Sequence, residues 1–231
     1  MLETNRVKMK IKNRKKKKRR LTYIFWCIVL VISIVGGRKI YMYKKANSIV
    51  KYLITEGKGE YDISIIRGKR EEFEKSLNIK ELDYGFDNNL KFGNDPKVLV
   101  YHHTAASNLS PEVINNDHKA KGWGGIGYHF YIRKDGSIYR GRPEECIGAH
   151  AIGRNYDSIG ICLEGNFEEE GVSSKQKEAL INLSADMIIK YNLEDSIGHR
   201  DVYKTLCPGK NFPMQEIKES VSNRIRAEFN K

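Results

Sequence analysis

Residues 21–37 (LTYIFWCIVLVISIVGG) form an uncharged run of seventeen, and they constrain this chain more than any other stretch, because so long an apolar segment must leave water. As a helix the run is about 25 Å long, slightly short of the ~30 Å hydrocarbon core of a bilayer. Arg20, Arg38 and Lys39 at its ends can extend to the interface, where Tyr23, Trp26, Tyr41 and Tyr43 are also accommodated. A cleaved signal peptide is the alternative. Its apolar region is typically shorter, no A-x-A-like cleavage site is evident, and Cys27 lacks the small residues expected before a lipidated cysteine. The pattern therefore favours one uncleaved transmembrane helix at the N-terminal end.

Charge orients that helix. The formal net charge is +12, but residues 1–20 alone hold eleven Lys/Arg against one acid, Glu3. The rest of the chain carries 30 basic and 28 acidic residues. A folded part so nearly neutral has no electrostatic footprint for a polyphosphate, which argues against a nucleic-acid partner. Eleven cations before the span, against Arg38, Lys39, Lys44 and Lys45 just after it, put the N-terminus in the cytoplasm and the bulk outside. The tail can also touch anionic lipid.

The 231 residues suffice for one ordinary domain with attachments. We divide the chain into a cytoplasmic polybasic tail (1–20), a membrane anchor (21–37), a stalk and lead-in segment (38–95) with a helix near residues 71–77, and a folded domain (96–231). In the last, residues 97–102 (KVLVYH) follow Asn94-Asp95-Pro96 as a buried strand. Ser110-Pro111 supplies an N-cap and a first-turn proline for a helix to about Lys121. Residues 127–132 and 137–140 read as a hairpin, and 158–164 as another buried strand. Ser173 and Gln176 make a capping box for a long helix, and Ile217, Val221, Ile225 and Phe229 recur every four residues in a last one. Strands interspersed with helices predict an α/β or α+β domain, a mixed central sheet flanked by helices.

Four cysteines, one of them inside the span, exclude a disulfide scaffold. His102 closes the first strand, and His199 precedes Cys207 by eight residues, a spacing that needs a loop curving around any shared ion. Two imidazoles and a thiolate are a catalytic zinc set with a fourth position left for water. On spacing alone, a buried thiol and two polar-surface histidines fit as well.

Five stretches carry a resemblance: 98–105 (VLVYHHTA), 127–130 (GYHF), 148–151 (GAHA), 155–165 (NYDSIGICLEG) and 198–209 (GHRDVYKTLCPG). In that order they resemble the type 2 N-acetylmuramoyl-L-alanine amidases, in the branch shared by phage amidase-lysozymes and peptidoglycan recognition proteins. The resemblance covers roughly residues 95–231. It implies a zinc site at His102, His199 and Cys207, a catalytic tyrosine at Tyr128, and a cleft histidine at His150. Thr205 occupies a position that is lysine in the phage branch and threonine in many recognition proteins with amidase activity. Cys162 stands where some type 2 amidases place a catalytic glutamate, so this chain fits the branch that relies on tyrosine. Glu164 does not match that glutamate, and Cys162 and Cys146 read as small buried residues unless they pair.

The function so implied is zinc-dependent hydrolysis of the amide between N-acetylmuramic acid and L-alanine of peptidoglycan, by a domain tethered outside the membrane. Tyr128 is the expected partner of the attacking water or of the tetrahedral oxyanion, Thr205 a second donor, and His150 the expected proton source for the leaving amine. A non-catalytic peptidoglycan-binding module is the competing reading. His103 and His129 are expected to be packed, Asp201 to orient a ligand or pair with Arg200, and Trp123 to contact substrate or plug a loop. His118 is assigned to the exposed side of its helix, without a role. Nothing in the sequence specifies a protein partner.

Overall fold

The computed structural model describes residues 63–229. The polybasic tail, the span and stalk residues 38–62 lie outside the described residues. Among the described residues, no helix is long and apolar enough to cross a membrane.

The elements run α1 (Ile63–Ser76), β1 (Val98–His103), α2 (Pro111–Ala120), β2 (Phe130–Ile132), β3 (Ile138–Arg140), β4 (Ser158–Leu163), α3 (Ser174–Tyr191), β5 (Asp195–Gly198), a 3-10 turn (His199–Asp201) and α4 (Met214–Phe229). The five strands form one mixed sheet in the order β3-β2-β4-β1-β5. β1 runs parallel to both β4 and β5, β2 parallel to β4, and only the β2–β3 hairpin is antiparallel. β1 and β4 are buried along their whole length, as parallel strands covered on both faces must be.

Strand alternation sorts the two faces. Leu99 and Tyr101 of β1 and Ile159, Ile161 and Leu163 of β4 pack with Leu180, Leu183 and Met187 of α3 and with Ile217, Val221 and Ile225 of α4. Each such large apolar side chain removed from water contributes about 1.5–3 kcal/mol. The other face presents Val98, Val100 and His102, paired in register with Ser158, Gly160 and Cys162. α2, capped by Ser110 and started by Pro111, brings Ile114 to a smaller cluster on that face. The Ser173–Gln176 capping box opens α3, and Asn192 ends it in the left-handed conformation.

The helix expected near residues 71–77 is α1, and it begins eight residues earlier. Charged pairs join it to the core. Arg70 bridges Glu74 at 2.8 Å and Asp186 of α3 at 3.1 Å. Arg140 pairs with Glu74 and Glu144, and Glu144 also meets Lys190 at 2.8 Å and the Tyr191 hydroxyl at 2.6 Å. Beyond α1, Lys80 exchanges backbone hydrogen bonds of 2.9 Å with Ile138 and Arg140 on the sheet edge.

Candidate metal centre

Three elements end at the same place. β1 carries His102 to its second-last residue, on the face away from α3 and α4. β5 stops at Gly198, whose N–H donates to Asp201 Oδ2 at 2.7 Å and so fixes the turn that holds His199. The following loop curls back on itself: Arg200 N–H donates to the Cys207 carbonyl at 2.8 Å, and Cys207 N–H to Thr205 Oγ1 at 3.2 Å. Gly198 has to be bare, because a Cβ there would stand 2.9 Å from Pro208 Cδ.

The result is that ligating atoms of His102, His199 and Cys207 lie within 4.8 Å of one another. His102 Nδ1 is 3.7 Å from Cys207 Sγ. Two ligands of a tetrahedral zinc, at ordinary Zn–N and Zn–S lengths, would be about 3.6 Å apart, so this pair is already at a zinc-compatible separation. The donor chemistry fits as well. Burial pushes His102 well below the ordinary imidazole range, with His199, His103 and His129 adding to the effect, and burial also lowers His199. Both rings are therefore neutral and keep a lone pair. Burial pushes the Cys207 thiol up to about 11, against the opposing pull of the His103 N–H, 3.4 Å from its sulfur, and of Arg200. A cation would displace that proton, and the same N–H would then support a thiolate. Among the described residues, this is the one group of three such side chains placed to share an ion.

Aromatic rings continue on both sides. Tyr128 lies 5.1 Å from His102 between ring centroids, His102 4.6 Å from His199, and Tyr203 stacks on His199 at 5.8 Å. Beyond Tyr128 come His118 at 5.4 Å and then Trp123, a further 4.7 Å on. Burial, with Cys162 and Cys207 nearby, holds the Tyr128 phenol well above its ordinary range, so it is a hydrogen-bond donor. Trp123 is partly exposed, 41 % of its surface, and rests on His118.

His118 departs from expectation. It is buried, and its Nδ1 accepts the Gly127 N–H at 2.9 Å beside Tyr128. A signal for this was present: Pro111, Ile114, Asn115 and His118 are the buried residues of α2, at the spacing of one helical face. Two of the four are polar, which hid the stripe from a hydrophobicity reading.

His150 is also buried, with Nδ1 3.0 Å from His102 Nε2 and Nε2 3.4 Å from Ser158 Oγ. His103 turns to the opposite face, lies tilted against the Phe167 ring and accepts the Phe167 N–H at 3.0 Å. His129 is buried between the Cys146 carbonyl and the Gly160 N–H. Asp201 caps Gly198, as described above. Glu164 is committed elsewhere, to Arg133 at 3.1 Å and to the N–H groups of Lys134 and Asn108. Cys146 and Cys162 are both free thiols.

Comparison with known proteins matches residues 92–210 to a family model described as N-acetylmuramoyl-L-alanine amidase. The endolysin of Enterobacteria phage T3 is 35% identical over 118 residues, covering 47% of this chain and 78% of that protein. Peptidoglycan-recognition protein SC2 of Drosophila melanogaster is 36% identical over 125 residues, covering 49% and 68%. The solved structure of the endolysin N-acetylmuramoyl-L-alanine amidase LysCS from Clostridium intestinale is similar at 50% identity, with a TM-score of 0.61 and coverage of 62% of this chain and 94% of that one.

Proposed function

Because the chain belongs to the N-acetylmuramoyl-L-alanine amidase family, we propose that it is a zinc-dependent peptidoglycan amidase, cutting the bond between N-acetylmuramic acid and L-alanine. The observation that carries this reading is the convergence of two neutral imidazoles and one thiol from three separate elements. The competing role, a module that holds peptidoglycan without cutting it, does not require such a donor set.

His102, His199 and Cys207 would hold the zinc, which would supply Lewis acidity for activating water and polarising an amide carbonyl. The chain's own groups do the rest. The protonated Tyr128 hydroxyl donates to the oxygen that gains negative charge as the carbonyl carbon becomes tetrahedral. Thr205 uses its oxygen to accept the Cys207 N–H, which leaves its hydroxyl proton for a second donation. The His103 N–H keeps Cys207 anionic once its proton has gone.

The anchor belongs to the same proposal. Residues 21–37 hold the protein in the cell membrane with its basic tail inside, and residues 96–231 act on the wall outside. Protease treatment of intact cells should remove the amidase domain and spare the tail.

The decisive experiment treats purified wall with the full-length protein and analyses the fragments by mass spectrometry, alongside metal content. The expected result is about one zinc per chain and paired products, a free muramic lactyl group and a free L-alanine amine. Cutting by a metal-free protein would remove zinc from the proposal. Wall binding without those products would leave the recognition module standing.

A further inference from the structure

His102 can offer an ion only one of its ring nitrogens, and the surrounding protein selects which. Nδ1 faces Cys207 at 3.7 Å, while Nε2 lies 3.0 Å from His150 Nδ1. Which partner donates is decided one residue further away. The single hydroxyl proton of Ser158 goes to the carbonyl of Arg154. Toward His150 Nε2, 3.4 Å away, the same oxygen must therefore accept. His150 then carries its proton on Nε2 and presents a lone pair at Nδ1. That lone pair takes the Nε2–H of His102, which leaves His102 Nδ1 free of a proton and directed at Cys207.

The packing around His150 is built to keep this ring still. A Cβ on Gly160 would stand 2.6 Å from its Cγ, and one on Gly148 2.5 Å from its Cδ2, so the imidazole lies in a slot that only glycines leave open. Asn155 Oδ1 accepts the backbone N–H groups of both His150 and Ala151 at 2.8 Å, fixing the main chain below the ring. Ser158 is completely buried and His150 is 8% exposed.

We propose that His150 is a positioning residue for the metal centre: with Ser158 and the Arg154 carbonyl, it locks His102 in the tautomer and orientation that present Nδ1 to the ion. The proposal rests on the zinc-amidase reading of the same site. It takes the place of the proton-delivery role expected of His150 on chemical grounds, because both ring nitrogens are committed within the protein. Partners that orient metal-bound histidines in this way typically govern metal affinity by about 10–100-fold.

The test compares the full-length wild type with His150→Phe, which fills the slot without an acceptor, and His150→Asn, whose Oδ1 restores an acceptor near the place of Nδ1. Long-range proton–nitrogen NMR spectra of the metal-free proteins report the His102 tautomer, and competition with a chromophoric chelator reports zinc affinity. Neither readout needs turnover. The wild type should carry the His102 proton on Nε2. His150→Phe should lose that preference and bind zinc about 10–100-fold more weakly, and His150→Asn should recover most of the loss. A wild-type His102 protonated on Nδ1 would overturn the relay. So would a His150→Phe protein that binds zinc as tightly as wild type while losing turnover, since that returns His150 to proton delivery. A folded wild type that binds no zinc would fell the zinc reading itself, and the tautomer spectrum would still judge the relay. If His150→Phe does not fold, the wild-type spectrum and His150→Asn decide.

Discussion

Two buried polar clusters lie in this domain, and they solve the same problem in opposite ways. Around Glu144, the acids Glu74, Glu144 and Asp186 meet Arg70, Arg140 and Lys190. Burial pushes the Glu144 carboxyl up, yet Lys190, Tyr191 and Arg140 together hold it below its ordinary range. Around His102 no acid answers the imidazoles. Burial instead drives His102 and His150 well below their ordinary range and raises the Cys207 thiol. The first cluster pairs each acid with a base of its own, although burial still outweighs Arg70 at Asp186. The second stays uncharged and keeps its lone pairs in a geometry that could hold a cation. Buried ionisable groups thus point to a ligand when their charges are not matched among themselves, and to structure when they are.

The sharpest way to break that contrast is Cys207→Ser. It should reduce stem-peptide release from purified wall to background while the circular dichroism spectrum is kept; persistent cutting would refute the ligand assignment. Next in size, Tyr128→Phe should lower kcat by about 10²–10³-fold with zinc content unchanged, measured by turnover and metal analysis on one preparation. The other cluster should respond in stability and not in chemistry. Arg70→Ala is expected to cost about 2 kcal/mol of unfolding free energy at pH 8, below the usual range for a broken buried pair because Asp186 can take up a proton. Burial raises the Asp186 carboxyl to about 7 from 3.8, against the pull of Arg70. The stability that comes from protonating it is full below 3.8 and is lost as pH rises through 7. The penalty for losing Arg70 should therefore shrink between pH 8 and pH 5. Denaturant titrations at the two pH values measure this, and an equal penalty at both would deny Asp186 its raised pKa. Activity per folded molecule should not change.

Sequence legibility divides along the same line. The grouping of His102, His199 and Cys207 was readable from the family resemblance, whose five ordered motifs are each short; their spacing alone left a buried thiol and two surface histidines equally open. The capping signals at Ser110 and Ser173 were readable from the residues themselves, being local hydrogen bonds. β5 was not, because Asp195-Ser196-Ile197-Gly198 carries no alternation of its own and is held as a strand by its pairing with Val98–Tyr101 of β1. Nor was the docking of α1, whose Arg70 finds Asp186 across 116 positions of sequence. His118 and His150 show a third kind of failure. Each was visible as a histidine, but its partners, the Gly127 N–H in one case and the ring of His102 with Ser158 in the other, exist only once helix and loops are packed.

The glycine slot around His150 also has a consequence for descent. Positions 148, 150 and 160 cannot vary independently, since a side chain at either glycine would claim space the imidazole occupies. A lineage leaving this arrangement must surrender the histidine before, or together with, the first glycine replacement. One that retains both glycines without the histidine would carry a void beside His102, a trace of the order in which the site was dismantled.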